Sequence, residues 1–232
     1  MKNTKTLKLS VLSLMIALGV VISPILRVEG MCPMAHFINI VCSVLLGPSY
    51  SLLCATSIGI LRMIFMGIPP IALTGAIFGA YLSGVFYRAS RGNLLFAVLG
   101  EVIGTGIIGA VMSYPVMTYI WGRTDLSWLF YVPSFVLGTL IGGFIAYGFL
   151  KKLSKSGILQ SFQRKLSANV YEERKSPLDS AMLIISVGTM AYVAIEIAEN
   201  LMKLKTPPYL SALVASIAII CTLLKKGAKN EK

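Results

Sequence analysis

The chain has 232 residues, of which 56% are hydrophobic and only 13% are charged, and its mean hydropathy is +0.80. Soluble domains carry about 25% charged residues, so this composition excludes a soluble globular protein and predicts an integral membrane protein. The net charge of +12 does not indicate nucleic-acid binding, because the basic residues lie in short connections and tails, as in the cytoplasmic loops of membrane proteins.

Eight apolar stretches approach the length of about 20 residues that a helix needs to cross a bilayer. In chain order they are residues 9–26, 34–46, 50–65, 71–87, 94–120, 129–150, 178–201 and 209–224. We therefore predict an all-α membrane protein. Residues 1–150 are expected to form a six-helix core, residues 151–177 a basic connector, and residues 178–232 two further membrane spans with a basic tail.

The placement of the basic residues predicts the orientation of these spans. If the N-terminus is cytoplasmic, most of the 21 Lys and Arg residues fall on the cytoplasmic side, as the positive-inside rule requires. Both termini are therefore expected in the cytoplasm, with the chain a multi-pass protein of the cell membrane. The lysines before the first span resemble the start of a signal peptide, but no small-x-small cleavage site precedes Pro24, so we expect a retained first helix.

The connector has its own periodicity. Apolar residues recur at spacings of three and four with basic residues between them, which predicts a basic amphipathic helix on the inner leaflet. A solvated connector with chance periodicity is the alternative. The apolar positions are Leu159, Phe162, Leu166 and Val170, and the basic ones are Lys155, Arg164 and Lys165.

Several polar residues fall inside predicted spans, where ionisable groups are costly and usually functional. With a rise of about 1.5 Å per residue, Glu101 lies near the bilayer midplane and Thr105 one turn above it. Other polar and aromatic groups collect in the outer half, a distribution that predicts a pocket for a small molecule arriving from outside. The candidate binding residues are Glu101, His36, Asn39, Thr105, Tyr114, Tyr131 and Arg62.

Four of these candidates also have a purely structural interpretation. Glu101 could form a structural hydrogen bond to a neighbouring helix. His36 could be a structural histidine whose hydrogen bonds are made within the protein at the start of a helix. The side chain of Arg62 could extend to the lipid headgroups on the outer side of the membrane. Tyr131, together with Trp128, fits the aromatic belt at a membrane interface.

Residues 104–109, GTGIIG, match the G-x-G-x-x-G pattern of dinucleotide-binding turns. That pattern requires a preceding strand, a following helix and an acid about 20 residues further on. Here it lies within one membrane span, so we interpret the glycines as small residues that allow close helix packing, with Gly100 and Gly104 four apart. Ser13 and Ala17 have the same spacing in the first span, which suits either internal packing or docking of another membrane subunit.

The sequence contains no recognisable catalytic, phosphate-binding or metal-binding motif. The chain lacks a G-x-x-x-x-G-K-[ST] phosphate loop, an H-E-x-x-H pair, a nucleophile elbow and any metal-ligand cluster, and its four cysteines form no C-x-x-C pair. We therefore predict that it is not an enzyme and has no catalytic residue, metal or cofactor.

Five stretches of the chain, taken together, match a known family pattern. They are IALGVVISPIL (16–26), PMAHFIN (33–39), LLGPSYSLL (45–53), FGAYLSGVFYR (78–88) and LGEVIGTGIIGAVMSYP (99–115). They resemble the ThiW family of substrate-binding S components from energy-coupling factor (ECF) vitamin transporters. The resemblance covers about residues 8–150, with the motifs in the same order.

The resemblance implies a six-helix membrane fold that binds a thiamine precursor, hydroxyethylthiazole, from outside. It also implies partners: a transmembrane coupling subunit, two ATPase subunits and the surrounding lipid. In such proteins small residues on the first helix contact the coupling subunit, which favours the docking interpretation of Ser13 and Ala17. The family pattern ends after the sixth helix, so it says nothing about the two further spans.

Two other classes of function remain open at this point. One is an autonomous proton-coupled carrier that uses Glu101 as a proton relay. The other is a membrane assembly or scaffold protein whose extra helices recruit a partner. Transport by the chain alone would distinguish the carrier, and the absence of small-molecule binding would distinguish the scaffold.

Overall fold

The computed structural model describes residues 2–25, 31–166, 168–171, 180–189 and 216, and these form helices and short connections. Five helices in this part of the chain are long and apolar enough to cross a membrane, which confirms the predicted all-α membrane protein. The helices are α1 (Lys2–Ile22), α2 (Pro33–Leu46), α3 (Pro48–Met66), α4 (Ile71–Ala89), α5 (Leu94–Ile120), α6 (Val132–Lys155), α7 (Ile158–Lys165) and α8 (Ser180–Thr189).

The predicted spans agree closely with α2 to α5, and the first and sixth differ. Helix α1 ends at Ile22 rather than residue 26, two residues before Pro24, which disfavours continuing the helix. Helix α6 begins at Val132, with Pro133 in its first turn, and continues past residue 150 to Lys155. Of the two further spans predicted, α8 lies within residues 178–201. The rest of that span, and residues 209–224 apart from Ser216, lie outside the described residues.

The short helix α2 lies at the centre of the bundle. It contacts α3, α4, α5 and α6, and all of its residues except Met34 and Phe37 are buried. Helix α1 packs at the edge, against α2 and α3. Large apolar side chains such as Val21, Ile64 and Leu137 point away from the protein and are more than half exposed, as expected for surfaces that contact lipid.

Helices α4 and α5 approach each other backbone to backbone. A Cβ atom on Gly104 would lie 2.5 Å from the Cα of Gly79, and one on Gly100 would lie 2.5 Å from the carbonyl oxygen of Leu82. Real Cβ atoms do not come so near other atoms, so only glycine fits these positions. The structure thus confirms that GTGIIG packs helices together, because its first glycine lies against α4.

Helix α5 is continuous but not uniform. Residues Val102–Gly109 and Val116–Ile120 have π-helical hydrogen bonding, separated by the α-helical turn Ala110–Pro115. Such wider turns are rare and often occur at functional sites. The first π-helical segment directly follows Glu101 and contains Thr105, so two of the predicted site residues lie at or beside it.

The predicted connector helix exists as α7, but its buried face differs from the expected one. Leu159, Gln163 and Leu166 are buried, whereas Phe162 is half exposed. Gln163 donates from Nε2 to the carbonyl oxygen of Val44 at 3.1 Å and to the hydroxyl of Tyr87 at 3.1 Å. Buried hydrogen bonds therefore hold α7 across one end of the bundle. The prediction of the buried face used only apolar residues, so it left out Gln163.

Candidate functional site

A cavity of about 80 Å³ lies at the opposite end of the bundle from α7, where α2, α4 and α6 begin and α3 ends. On this measure a single water needs about 10–15 Å³, so the cavity has room for a compact small molecule. Under the predicted orientation this is the outer end. The cavity is lined by Met31, Cys32, Ala35, His36, Arg62, Ile68, Ile71, Ala72, Gly75, Ala76 and Phe135.

Arg62 is buried in the bundle and lines this cavity. Only 4% of its surface is exposed, so the interpretation that it extends to the outer headgroups is wrong. The reason is its position on α3, whose buried residues recur every three or four positions and end at Arg62. The Nε atom has no hydrogen-bond partner among the described residues.

His36 is the second polar residue of the cavity wall, and a carboxylate lies directly behind it. The Nδ1 atom of His36 is 2.9 Å from Oε1 of Glu101. The same oxygen accepts hydrogen bonds from Nδ2 of Asn39 at 3.0 Å and from Oγ1 of Thr105 at 3.1 Å. Four of the predicted site residues, from α2 and α5, thus meet at one oxygen atom.

The geometry of this cluster assigns roles to its members. Asn39 and Thr105 both donate to this carboxylate oxygen, and we assign Nδ1 of His36 as its third donor. This leaves Nε2 of His36 as the atom available to a ligand. The Nε2 atom lies 3.4 Å from where a Cβ on Gly138 would be, so the glycine leaves space on that side of the ring. Glu101, Asn39 and Thr105 do not line the cavity and position His36 from behind.

The second oxygen of Glu101 has no hydrogen-bond partner within the described part of the chain. It faces α4, where a Cβ on Gly79 would lie 2.8 Å from it. The carboxylate is completely buried, as an acid within a membrane-spanning helix requires if it is to be held by protein groups. The hydrogen bond from α2 that the structural interpretation of Glu101 requires is therefore present, and it comes from a residue of the cavity wall.

The aromatic candidates occupy different environments. Phe135 forms part of the cavity wall, and Tyr131 is buried with its ring centroid 5.8 Å from that of Phe135. Tyr131 therefore does not belong to an exposed aromatic belt, whereas Trp128 is 56% exposed. Tyr114 packs against Trp128 with ring centroids 4.5 Å apart and is not among the residues that line the cavity.

Sequence reasoning missed Phe135 as a wall residue. It belongs to a buried stripe on α6 that continues through Gly138, Thr139, Gly142 and Gly143. The spacing of three and four was a usable signal, because it marks the face of α6 that packs on the bundle.

The remaining predicted features lie elsewhere. Ser13 and Ala17 are exposed on the face of α1 that points away from the helix bundle. The described residues contain no group of three or more His, Cys, Asp or Glu side chains that could hold a metal. Cys32, Cys42 and Cys54 are free thiols.

Comparison with protein families decides the class of the molecule. The family model described as thiamine-precursor transporter protein (ThiW) matches residues 9–156, which include all the cavity-lining residues and the Glu101 cluster. The chain belongs to the ThiW family. Membership confirms the resemblance of the sequence motifs and makes the chain a multi-pass membrane protein of a transporter family. The match ends just before α7, which lies outside the ThiW pattern. No curated protein and no solved structure gives a significant match.

Proposed function

We propose that this ThiW protein is the substrate-binding S component of an ECF transporter, binding hydroxyethylthiazole or a related thiamine precursor from outside the cell. The observation that carries the proposal is the cavity between the ends of α2, α3, α4 and α6 in a chain of a thiamine-precursor transporter family. Both termini are proposed to lie in the cytoplasm, which puts the cavity on the outer side.

The wall of the cavity suits a small heteroaromatic ring with one or two polar groups. Most of its residues are apolar, and Phe135 offers an aromatic surface on which such a ring can pack. His36 and Arg62 supply the polar contacts, to a ring nitrogen or a hydroxyl group. Few polar groups in an apolar cavity are typical of small-molecule sites.

The cluster behind His36 supports a binding role for it. Asn39 and Thr105 hold the Glu101 oxygen, and that oxygen holds the imidazole in one orientation. A ligand therefore meets a preorganised donor or acceptor, which reduces the cost of ordering on binding. We propose that Glu101, Asn39 and Thr105 are positioning residues, with Tyr131 supporting Phe135 in the same way.

Transport through such a site needs partners. We propose that the exposed face of α1 around Ser13 and Ala17 docks on a transmembrane coupling subunit, since small residues allow close approach of helices in lipid. ATP hydrolysis would then belong to two partner ATPases, consistent with the lack of a phosphate-loop motif in this chain.

Isothermal titration of the full chain in detergent with hydroxyethylthiazole, thiamine and an aminopyrimidine tests the binding step. We expect hydroxyethylthiazole to bind and the aminopyrimidine not to. Absence of binding by all three would contradict the proposal.

Reconstitution tests the coupling step. The chain alone in liposomes should bind without accumulating substrate, whereas addition of the coupling module and ATP should give uptake. Uptake by the chain alone, driven by a pH gradient, would show instead a proton-coupled carrier that uses Glu101.

A further inference from the structure

Arg62 in the cavity wall forms no ion pair with a described carboxylate. The described residues contain only two carboxylates, Glu101 and Asp125. Glu101 uses Oε1 for His36, Asn39 and Thr105, and Asp125 lies on the surface 3.6 Å from Arg123. Neither forms an ion pair with Arg62.

Arg62 is therefore a cation held inside the protein without an ion-pair partner among the described residues. Its guanidinium group stays protonated in proteins, so it cannot avoid the cost of burial by losing a proton. A buried charge without a partner is strongly unfavourable. Retaining one in a cavity wall makes sense where a ligand supplies the opposite charge.

Two helices add to the positive potential of the same cavity. Helix α2 begins at Pro33 and α4 begins at Ile71, and residues at both ends, including Cys32, Ala35 and Ala72, line the cavity. The N-terminus of a helix carries about half a positive charge, which favours anions. Arg62 and the two helix ends thus act in the same direction.

We propose that the substrate carries an anionic group, a carboxylate or a phosphate monoester, that binds Arg62 in this cavity. This inference rests on the proposed function, because it specifies the chemical class of the thiamine precursor. A guanidinium group offers two parallel N–H donors to the two oxygens of such an anion. The cavity volume of about 80 Å³ suits a compact ligand.

The first test compares ligands on the full wild-type chain in detergent by isothermal titration. The ligands are neutral hydroxyethylthiazole, its phosphate monoester and a methylthiazole carboxylate. We expect one anionic ligand to bind about tenfold or more tightly than the neutral compound. The tighter of the two anions identifies which group the site recognises. Equal or weaker binding of both anions, with the neutral compound bound, would overturn this inference and leave the proposed function intact.

The second test uses Arg62 variants and a matched control. Arg62→Met should reduce the affinity for the anionic ligand to about that for the neutral one, a loss of about tenfold or more. Arg62→Lys, which keeps the charge without the paired donors, should retain part of the preference. Arg123→Met removes a charge at the same end of the bundle, from a residue outside the cavity, and should leave the preference unchanged.

The outcomes distinguish the inferred role of Arg62 in anion binding from the proposed function of the chain. Arg62→Met with an unchanged ratio of anionic to neutral affinity would overturn the role of Arg62. If Arg62→Met does not fold, the wild-type ligand ratio and the Arg62→Lys variant decide the question. Failure of all three ligands to bind the wild-type chain would instead contradict the proposed function.

Discussion

Replacing Glu101 by Gln keeps the shape of the side chain and removes its charge. The amide oxygen of Gln can occupy the place of Oε1, where it would accept the same three hydrogen bonds from His36, Asn39 and Thr105. The amide nitrogen would then occupy the place of Oε2, which is buried beside Gly79 and has no partner among the described residues.

The magnitude follows from these contacts. Hydrogen bonds to a charged group contribute about 1.5–3 kcal/mol, against about 1 kcal/mol for neutral pairs, so each of the three should lose on the order of 0.5–2 kcal/mol. Since only His36 connects the cluster to the cavity, we assign about 1.4 kcal/mol, or a tenfold increase in Kd, to ligand binding. The unpartnered amide N–H should lower the free energy of unfolding by about 1–3 kcal/mol.

The measurement is isothermal titration of Glu101→Gln and wild type with hydroxyethylthiazole, combined with thermal unfolding in the same detergent. Expression should be retained, Kd should rise about tenfold or more, and the unfolding temperature should fall. Asp125→Asn is the matched control, because its carboxylate is on the surface, and it should change neither quantity. An unchanged Kd in Glu101→Gln would refute the positioning role and leave a structural one.

Three further variants test the packing and the docking surface. Gly104→Leu should prevent accumulation of folded protein, because its Cβ would lie 2.5 Å from the backbone of Gly79, whereas Ile103→Leu on the exposed side should express normally. Ala17→Trp should keep the wild-type Kd and lose copurification with the coupling subunit, since the bulky ring prevents close helix approach. Gln163→Ala should lower the free energy of unfolding by about 1–3 kcal/mol in thermal melts without changing Kd.

For each of these variants, one outcome would contradict the expected result. A stable, monodisperse Gly104→Leu protein would disprove the close approach of α4 and α5. An Ala17→Trp protein that still copurifies would place the docking surface elsewhere. A Gln163→Ala protein with the wild-type unfolding temperature would show that α7 is not held by these hydrogen bonds.

The sequence predicted the helices well because a bilayer imposes a simple rule on length and hydrophobicity. It also predicted the centre of the polar cluster. Glu101 is an acid in a long apolar span, and such a group needs a partner. The candidates at helix starts and one turn away, His36, Asn39 and Thr105, proved to be its partners.

Features that depend on the rotation of a helix about its axis were harder to predict. Arg62 lies near the end of α3, and depth alone allows either an outward or an inward side chain. Its inward direction is decided by the stripe from Ser51 through Cys54 and Ile58, which packs on the bundle. The face of α7 depended in the same way on Gln163, a polar residue that apolar periodicity leaves out.

The contact of α4 with α5 also has a mechanical consequence. Helices separated by layers of side chains can slide past each other in small shear steps, but Gly79 and Gly104 bring two backbones together with no such layer. We therefore expect α4 and α5 to move as one rigid unit that carries Glu101. A motion that releases a bound molecule would then rotate this unit as a whole or displace the helices around it, such as α1, which packs mainly against α2 and α3.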